Sequence, residues 1–285
     1  MGIAVAPSAC LLSSSCSGTS GESLEMELFE DNQPKARLES LKLTVVYDNI
    51  SYASGMSTDL GFACLVKGLQ QTLLFDSGRL DKTFMSNLVR LGIDRHRIEA
   101  AFISHEHHDH IGGLPRLLQT HPAMKVYLHA SFSARYKRLL RARGAKVVEM
   151  GAPGRICAHA ASTGEMRSRV QNEHSLVLRT DQGAVVITGC AHPGIIDIIH
   201  RARSIARQDI LLVMGGFHLL HDSAESIRQI IEGFQQARVR FVAPSHCTGD
   251  QARNLFAKAY GSRFIRSGAG RTITADDLGG STRHT

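Results

Sequence analysis

The most distinctive part of the sequence runs from Ser104 to Gly113 and reads SHEHHDHIGG. It directly follows residues 98–103, a short apolar run that is too brief for a helix and predicts a buried strand. The carboxyl ends of strands are where open α/β sheets place their sites. We therefore expect the polar side chains of this loop to form a functional site at the edge of a sheet.

Three histidines and one aspartate of this loop follow an H-x-H-x-D-H frame, namely His105, His107, Asp109 and His110. Imidazole nitrogens and carboxylate oxygens are ligands that suit Zn²⁺, and they also suit Mn²⁺ or Fe. Four such donors within six residues are more than one metal ion usually takes from a single loop. The spacing therefore favours two neighbouring metal ions over a solvated histidine-rich loop.

A site for two metal ions needs further ligands, and the sequence offers candidates that each follow a predicted strand. The strands are predicted at residues 184–188, 210–214 and 241–243, and the segments after them contain TGCAHPG, GGFHL and PSHCTG. The candidate ligands in these segments are Cys190, His192, His218 and His246.

Two further segments bear on how a substrate would be bound. Residues 131–144 predict a basic amphipathic helix, whose charges are either solvated or attract an anionic substrate. Residues 150–169 contain Gly, Pro and Ala with little periodicity, and they predict a long loop of the kind that often forms a lid.

The metal-ligand frame resembles that of the metallo-β-lactamase superfamily over residues 41–275. The resemblance implies an α/β fold, the four-layer αβ/βα sandwich, in which two mixed sheets face each other, helices cover both outer faces and the metals lie at one edge. The three segments after the strands, together with VYDN at 46–49 and LFDSG at 74–78, look like one subgroup. This subgroup is the dihydropterin–aminobenzene ribofuranosyl phosphate synthase-like metallohydrolases, and its motifs specify a subgroup better than they specify a reaction.

The resemblance implies two sets of metal ligands: His105, His107 and His192 for one ion, and Asp109, His110 and His246 for the other. The general superfamily pattern leaves two alternatives open. His174, in the Glu-His-Ser segment before a predicted hairpin, could replace His192 as the third ligand. Cys190 stands where an aspartate usually bridges the two metals, so it is either a bridging ligand or a buried apolar thiol.

Asp109 and His218 are the predicted catalytic residues. Asp109 would orient the attacking hydroxide or take its proton, and His218 would protonate a leaving group or otherwise lie near the substrate. Asp76 is expected to orient a metal ligand or to cap its own turn, and Cys247 is expected to serve packing.

Two divalent ions, for which Zn is the expected metal, can share a hydroxide at neutral pH. The expected function is therefore metal-dependent hydrolysis, by a metal-bound hydroxide, of a phosphoester or similar anionic small molecule. Acyl hydrolysis of a lactone or thioester, pterin-related transfer and a ligand-binding protein without turnover remain alternatives. The chain has no G-x-S-x-G elbow and no P-loop, which disfavours acyl-serine and nucleotide-triphosphate chemistry.

Composition sets the remaining expectations. Of the 285 residues, 43% are hydrophobic and 21% are charged, which is ordinary for a soluble globular protein. No apolar run reaches the roughly 20 residues that span a bilayer, and the 6% aromatic residues include no nucleic-acid stacking motif. Six cysteines without a C-x-x-C pair predict free thiols and a location in the cytoplasm.

We expect a disordered extension at 1–40, one domain at 41–275 and a flexible tail at 276–285.

Overall fold

The computed structural model describes residues 28–29 and 35–280, and these residues form thirteen strands and seven α-helices. The strands are β1 (Lys42–Tyr47), β2 (Ala63–Lys67), β3 (Leu73–Phe75), β4 (Ala100–Phe102), β5 (Lys125–His129), β6 (Lys146–Met150), β7 (Gly154–Cys157), β8 (Ala160–Ser162), β9 (Leu176–Thr180), β10 (Gly183–Thr188), β11 (Ile210–Gly216), β12 (Phe241–Ser245) and β13 (Thr272–Ile273). The helices are α1 (Asp81–Arg90), α2 (His108–Ile111), α3 (Leu114–Leu118), α4 (Ala134–Ala142), α5 (Ile195–Ala206), α6 (Ala224–Gln236) and α7 (Asp250–Tyr260).

The strands form two mixed sheets. The first has the order β13-β1-β2-β3-β4-β5-β6, with antiparallel pairs from β13 to β3 and parallel pairs from β3 to β6. The second has the order β12-β11-β10-β9-β8-β7, with parallel pairs from β12 to β10 and antiparallel pairs beyond. The carboxyl ends of the parallel strands in each sheet are followed by the segments that carry the predicted ligands.

Three apolar clusters show how these layers are stacked. One joins inward residues of both sheets, such as Val45 of β1 and Val185 of β10. A second joins the outer face of the second sheet to α5, α6 and α7, and a third joins the outer face of the first sheet to α1, α3 and α4. Strand β10 is buried at every residue, because both of its faces are covered, and its central residues are apolar. The four-layer αβ/βα sandwich expected from the resemblance is confirmed.

The helix predicted at 131–144 is present as α4, and its N-terminus is capped by the Ser133 side chain, which accepts a hydrogen bond from the Tyr136 N–H. The interpretation of residues 150–169 as a long loop is wrong, because β7 and β8 form a hairpin there that extends the second sheet. These strands have four and three residues and a register shift between Arg155 and Cys157, so they leave no alternating pattern in the sequence.

Packing extends beyond the predicted domain limits at both ends. Leu38 lies in a short 3₁₀ helix and is 2% exposed, and Ala36 pairs with Thr180 of β9. Leu278, in a 3₁₀ helix at the other end, is 3% exposed. Burying these apolar side chains stabilises the folded state. The packed unit therefore extends beyond residues 41–275. Most of the predicted extension and the last five residues of the tail lie outside the described residues.

No helix among residues 28–29 and 35–280 is long and apolar enough to cross a membrane.

The layered core makes a prediction about stability. Leu212 in β11 is fully buried between the sheets, so Leu212→Ala should lower the free energy of unfolding by about 2–5 kcal/mol. Leu220, which is 58% exposed, is the matched control, and Leu220→Ala should change the free energy by no more than about 0.5 kcal/mol. Urea denaturation followed by circular dichroism measures both values, and equal losses would contradict this description of the core.

Candidate metal centre

The structure brings the six ligands implied by the resemblance together at one edge of the sandwich. They lie after β4, β10 and β12, and so come from both sheets. They form two groups of three, within each of which the potential ligand atoms all lie within 4.8 Å of one another. The groups are His105, His107 and His192, and Asp109, His110 and His246.

The first group consists of three imidazoles. The Nε2 atom of His105 lies 3.2 Å from Nδ1 of His107. The ring of His192 lies 4.7 Å from that of His105 and 5.0 Å from that of His107, measured between centroids. His105 is fully buried and the side chain of His192 is 2% exposed, whereas His107 is partly exposed. The group therefore opens towards solvent at His107.

The second group is arranged around a carboxylate. The Oδ2 atom of Asp109 lies 3.3 Å from Nε2 of His246 and 3.7 Å from Nε2 of His110. Burial raises the pKa of the Asp109 carboxyl, but the neighbouring His246 and His110 rings outweigh burial and lower it well below its ordinary value. Asp109 is therefore an anion, which is the form that binds a metal ion.

Asp76 orients the second group, as the sequence predicts. Its Oδ2 atom lies 2.7 Å from Nδ1 of His110 and accepts a hydrogen bond from the Ser104 hydroxyl, while its Oδ1 atom accepts one from the Ser104 N–H. Burial lowers the pKa of His110, but the Asp76 carboxylate outweighs burial and raises it to about 9. A carboxylate on Nδ1 leaves Nε2 as the nitrogen that faces the group.

Two glycines at the end of the loop press it against the turn after β3. A Cβ atom on Gly112 would lie 1.7 Å from the carbonyl oxygen of Arg79, and one on Gly113 would lie 2.5 Å from that of Ser77. Gly112 also donates its N–H to the carbonyl of Gly78 at 2.7 Å. Only glycine permits this close approach. These contacts hold the end of the loop, just after His110, against the turn.

Glu173 is the site residue that the sequence interpretation missed. Its Oε1 atom accepts hydrogen bonds from three consecutive backbone N–H groups, those of residues 189–191, at 3.0 Å each. Its Oε2 atom lies 3.0 Å from both the backbone N and the ring Nδ1 of His192, and 3.9 Å from Nδ1 of His105. Burial raises the pKa of this carboxyl, but His105, His192 and the backbone donors outweigh it and lower the pKa. The only sequence signal was an acid beside His174 at the entrance to a hairpin.

The donor set fits divalent metal ions. In His105, His110, His192 and His246 the Nδ1 atom lies within 3.0 Å of a polar side-chain atom, which leaves Nε2 directed towards the groups. For His246 the Nδ1 partner is Asn49 Oδ1, at 2.9 Å. The buried Nε2 of His246 has no hydrogen-bond partner among the described residues, although Asp109 Oδ2 is near. Buried polar atoms rarely lack a partner, so a cation between these groups would complete the site.

The alternative ligand His174 lies outside both groups. Its Nε2 atom lies 2.8 Å from the carbonyl oxygen of Ile103, its Nδ1 atom lies 2.9 Å from the Ser162 hydroxyl, and its ring stacks on Phe102 at 4.0 Å. Both nitrogens are therefore used within the sandwich. The position of His174 favours His192 as the third ligand of the first group.

Cys190 and His218 both lie beside the two groups. The Sγ atom of Cys190 is 3.3 Å from Nε2 of His110, and it forms a further set of close donors with His105 and His110. The His218 ring is exposed at the surface and lies 4.6 Å from the His192 ring. Cys190 therefore stands where it can contact both groups.

Comparisons with known proteins agree with this architecture. The sequence pattern of the metallo-beta-lactamase superfamily matches residues 59–149. A metal-dependent hydrolase of the beta-lactamase superfamily, known from its crystal structure, superimposes with a TM-score of 0.69 at 28% identity, over 82% of this chain and 98% of that one. The metallo-beta-lactamase fold protein YhfI from Bacillus subtilis superimposes with a TM-score of 0.62 at 15% identity, over 82% of this chain and 99% of that one.

The chain therefore has the metallo-β-lactamase fold, and residues 59–149 match the sequence pattern of that superfamily. Among curated proteins, the chain is similar to the 7,8-dihydropterin-6-methyl-4-(beta-D-ribofuranosyl)-aminobenzene-5'-phosphate synthase of Methanocaldococcus jannaschii. The two are 23% identical over 286 residues, which cover 83% of this chain and 97% of the relative.

The contacts of Glu173 predict its effect on metal binding. Glu173→Gln should weaken Zn²⁺ binding about 10–100-fold, because the turn and the ring of His192 lose the carboxylate that orients them. Competition with a chromophoric chelator measures the affinity. Glu149→Gln is the matched control, since Glu149 lies on β6 and pairs with Lys137 and Arg141. Equal Zn²⁺ affinities in the two variants would contradict this role.

Proposed function

We propose that this chain is a metal-dependent hydrolase that binds two divalent ions and acts on a phosphoester or a similar anionic small molecule. The observation that carries the proposal is the pair of donor groups at one edge of the sandwich, each with its ligand atoms within 4.8 Å of one another. The four free cysteines of the described residues suit a reducing compartment, so we place this activity in the cytoplasm.

One ion would be held by the group of His105, His107 and His192, and the other by the group of Asp109, His110 and His246. Nitrogen and oxygen donors of this kind suit Zn²⁺, with Mn²⁺ or Fe as alternatives. Divalent ions bound there would supply Lewis acidity, which lowers the pKa of water and polarises the oxygen of the scissile group.

The residues of the chain would orient the reactants. Glu173 and Asp76 fix the rings of His192 and His110 from behind, so the donor atoms need little rearrangement when a substrate binds. Asp109 is partly exposed, with 17% of its side chain accessible, and its carboxylate can accept a hydrogen bond from a water or a substrate hydroxyl at the open side.

Two observations support an anionic substrate. Arg135 and Arg138 of α4 line a groove of about 870 Å³ that also includes Glu106 and His108 of the metal loop. These guanidinium groups would attract a phosphate. The other basic residues of α4 contribute less, because Lys137 and Arg141 pair with Glu149. The synthase relative is named for a 5'-phosphate product, which also favours a phosphate-bearing ligand.

That relative also favours a second candidate function, a pterin-related synthase reaction. Acyl hydrolysis and ligand binding without turnover are separated from the main proposal by the substrates used in the test. Turnover of a lactone or thioester but no phosphoester would point to acyl hydrolysis. Tight metal binding with no hydrolysis of any of these would direct attention to the synthase reaction or to a binding protein.

The direct test is hydrolysis of bis(para-nitrophenyl) phosphate by the chain loaded with Zn²⁺ or Mn²⁺. We expect chelation to abolish the release of nitrophenolate and added metal to restore it. His107→Ala and Asp109→Ala should each lower kcat/KM by at least about 100-fold. Loss of a residue that orients a metal ligand costs up to about 100-fold, and loss of the ligand itself should cost no less.

His200→Ala is the control, since His200 is an exposed residue of α5 outside both groups. It should leave kcat/KM unchanged. Activity that survives both ligand substitutions, or that is insensitive to chelation, would overturn the proposal.

A further inference from the structure

Beside the two groups lies a third set of close donors that the proposed hydrolysis does not use. Cys190, His218 and Cys247 each offer one ligand atom, and these atoms lie within 4.8 Å of one another. They follow three neighbouring strands of the second sheet, β10, β11 and β12, at the same edge. The sequence interpretation assigned Cys247 to packing. The structure instead places its thiol beside Cys190 and His218.

The absence of a side chain at Gly216 leaves room for this cluster. A Cβ atom on Gly216 would lie 2.6 Å from the Sγ atom of Cys247 and 3.3 Å from the Cα atom of Cys190. The Sγ atom of Cys247 lies 3.7 Å from the carbonyl oxygen of Cys190. Gly216 therefore allows the two cysteines to approach each other across the end of β11.

The backbone around the cluster is held in an unusual conformation. Ala191, His218 and His246 all have left-handed φ angles, of 62°, 57° and 49°. Ala191 follows Cys190 in the chain, His246 precedes Cys247, and His218 is itself a member. Non-glycine residues adopt this conformation at a cost that the surrounding structure must bear. All three members of the cluster are thus positioned by strained backbone.

The donor chemistry selects a class of cation. Two thiolates and one imidazole suit thiophilic ions such as Zn²⁺, whose bonds to sulfur and nitrogen are about 2.3 and 2.0–2.1 Å long. Two thiolates also balance the charge of a divalent ion. His218 is exposed, so solvent can reach the remaining coordination position.

We propose that Cys190, His218 and Cys247 form a third cation site, which binds Zn²⁺ or another thiophilic divalent ion. Cys190 connects this site to the other two groups, because its thiol also lies among the donors of His105 and His110. In this arrangement His218 is a metal ligand, and it takes this role in place of the proton-donor role suggested by the sequence. The assignment does not depend on any hydrolytic activity.

Cobalt provides the test, because thiolate ligands give Co²⁺ an intense near-ultraviolet charge-transfer band. The metal-free full-length chain is titrated with Co²⁺, and bound cobalt is counted by elemental analysis. A Cys10→Ser/Cys16→Ser background removes the two thiols that lie outside the described residues. We expect three cobalt ions per chain and a charge-transfer band.

Two single variants separate this site from the other groups. Cys247→Ser should lower the count to two ions and weaken the band, leaving only what Cys190 contributes beside His105 and His110. His218→Ala, at an exposed position that should tolerate substitution, should also lower the count to two. Cys157→Ser, in β7, is the thiol-matched control and should change neither value.

The contrary result is equally clear. Two cobalt ions per chain, with a band that Cys247→Ser and His218→Ala leave unchanged, would mean that Cys190 alone contacts metal and would overturn the third site. His107→Ala should remove one ion and keep the band, so failure of the histidine groups is distinguishable from failure of this site. The cobalt count and the band need no catalytic turnover.

Discussion

A single buried carboxylate, that of Glu173, holds the turn after β10 at the edge where the donor groups meet, and it lies 3.9 Å from His105 in the loop after β4. An ionised carboxylate without partners inside a protein costs several kcal/mol, but Glu173 is compensated by four backbone N–H groups and an imidazole, all at 3.0 Å. These contacts determine the shape of the turn from residue 189 to residue 192. The positions of His192 and Cys190 therefore depend on a side chain that belongs to neither donor group.

Asp76 performs the matching task in the first sheet. It binds the N–H and hydroxyl of Ser104, at the start of the metal loop, and it binds the ring of His110 near the end of that loop. The two carboxylates thus act on opposite sides of the same edge. Each carboxylate accepts hydrogen bonds from a backbone turn and from a histidine ring. The position of each ring is therefore coupled to the position of its turn.

The clustering of His105, His107, Asp109 and His110 was predictable because these donors are adjacent in the chain and their spacing needs no knowledge of the fold. His192 and His246 were predictable as candidates, since each follows an apolar strand. The choice between His174 and His192 was not, because it depends on contacts across space: His174 is occupied by Ile103 and Ser162. The role of Glu173 was hidden for the same reason, as its partners lie 16 to 19 residues away.

The fold shows a similar division. Periodicity indicated individual strands such as β10 and helices such as α4, but the pairing of two sheets came only from the resemblance, because apolar runs do not say which sheet covers them. The β7–β8 hairpin was missed since its strands are very short. The basic face of α4 was recognised, but its partner Glu149 lies on a strand that the sequence interpretation did not identify.

The close contact of Gly112 and Gly113 with the turn after β3 has a consequence for how metal ions would enter. Small zinc modules are unfolded until the ion arrives, and the ion's binding energy is then spent on folding. Here backbone packing at Gly112 and Gly113 and the hydrogen bonds of Asp76 hold the loop through contacts that involve no ion. We therefore expect ion binding to contribute less to the folding of this chain than it does in small zinc modules.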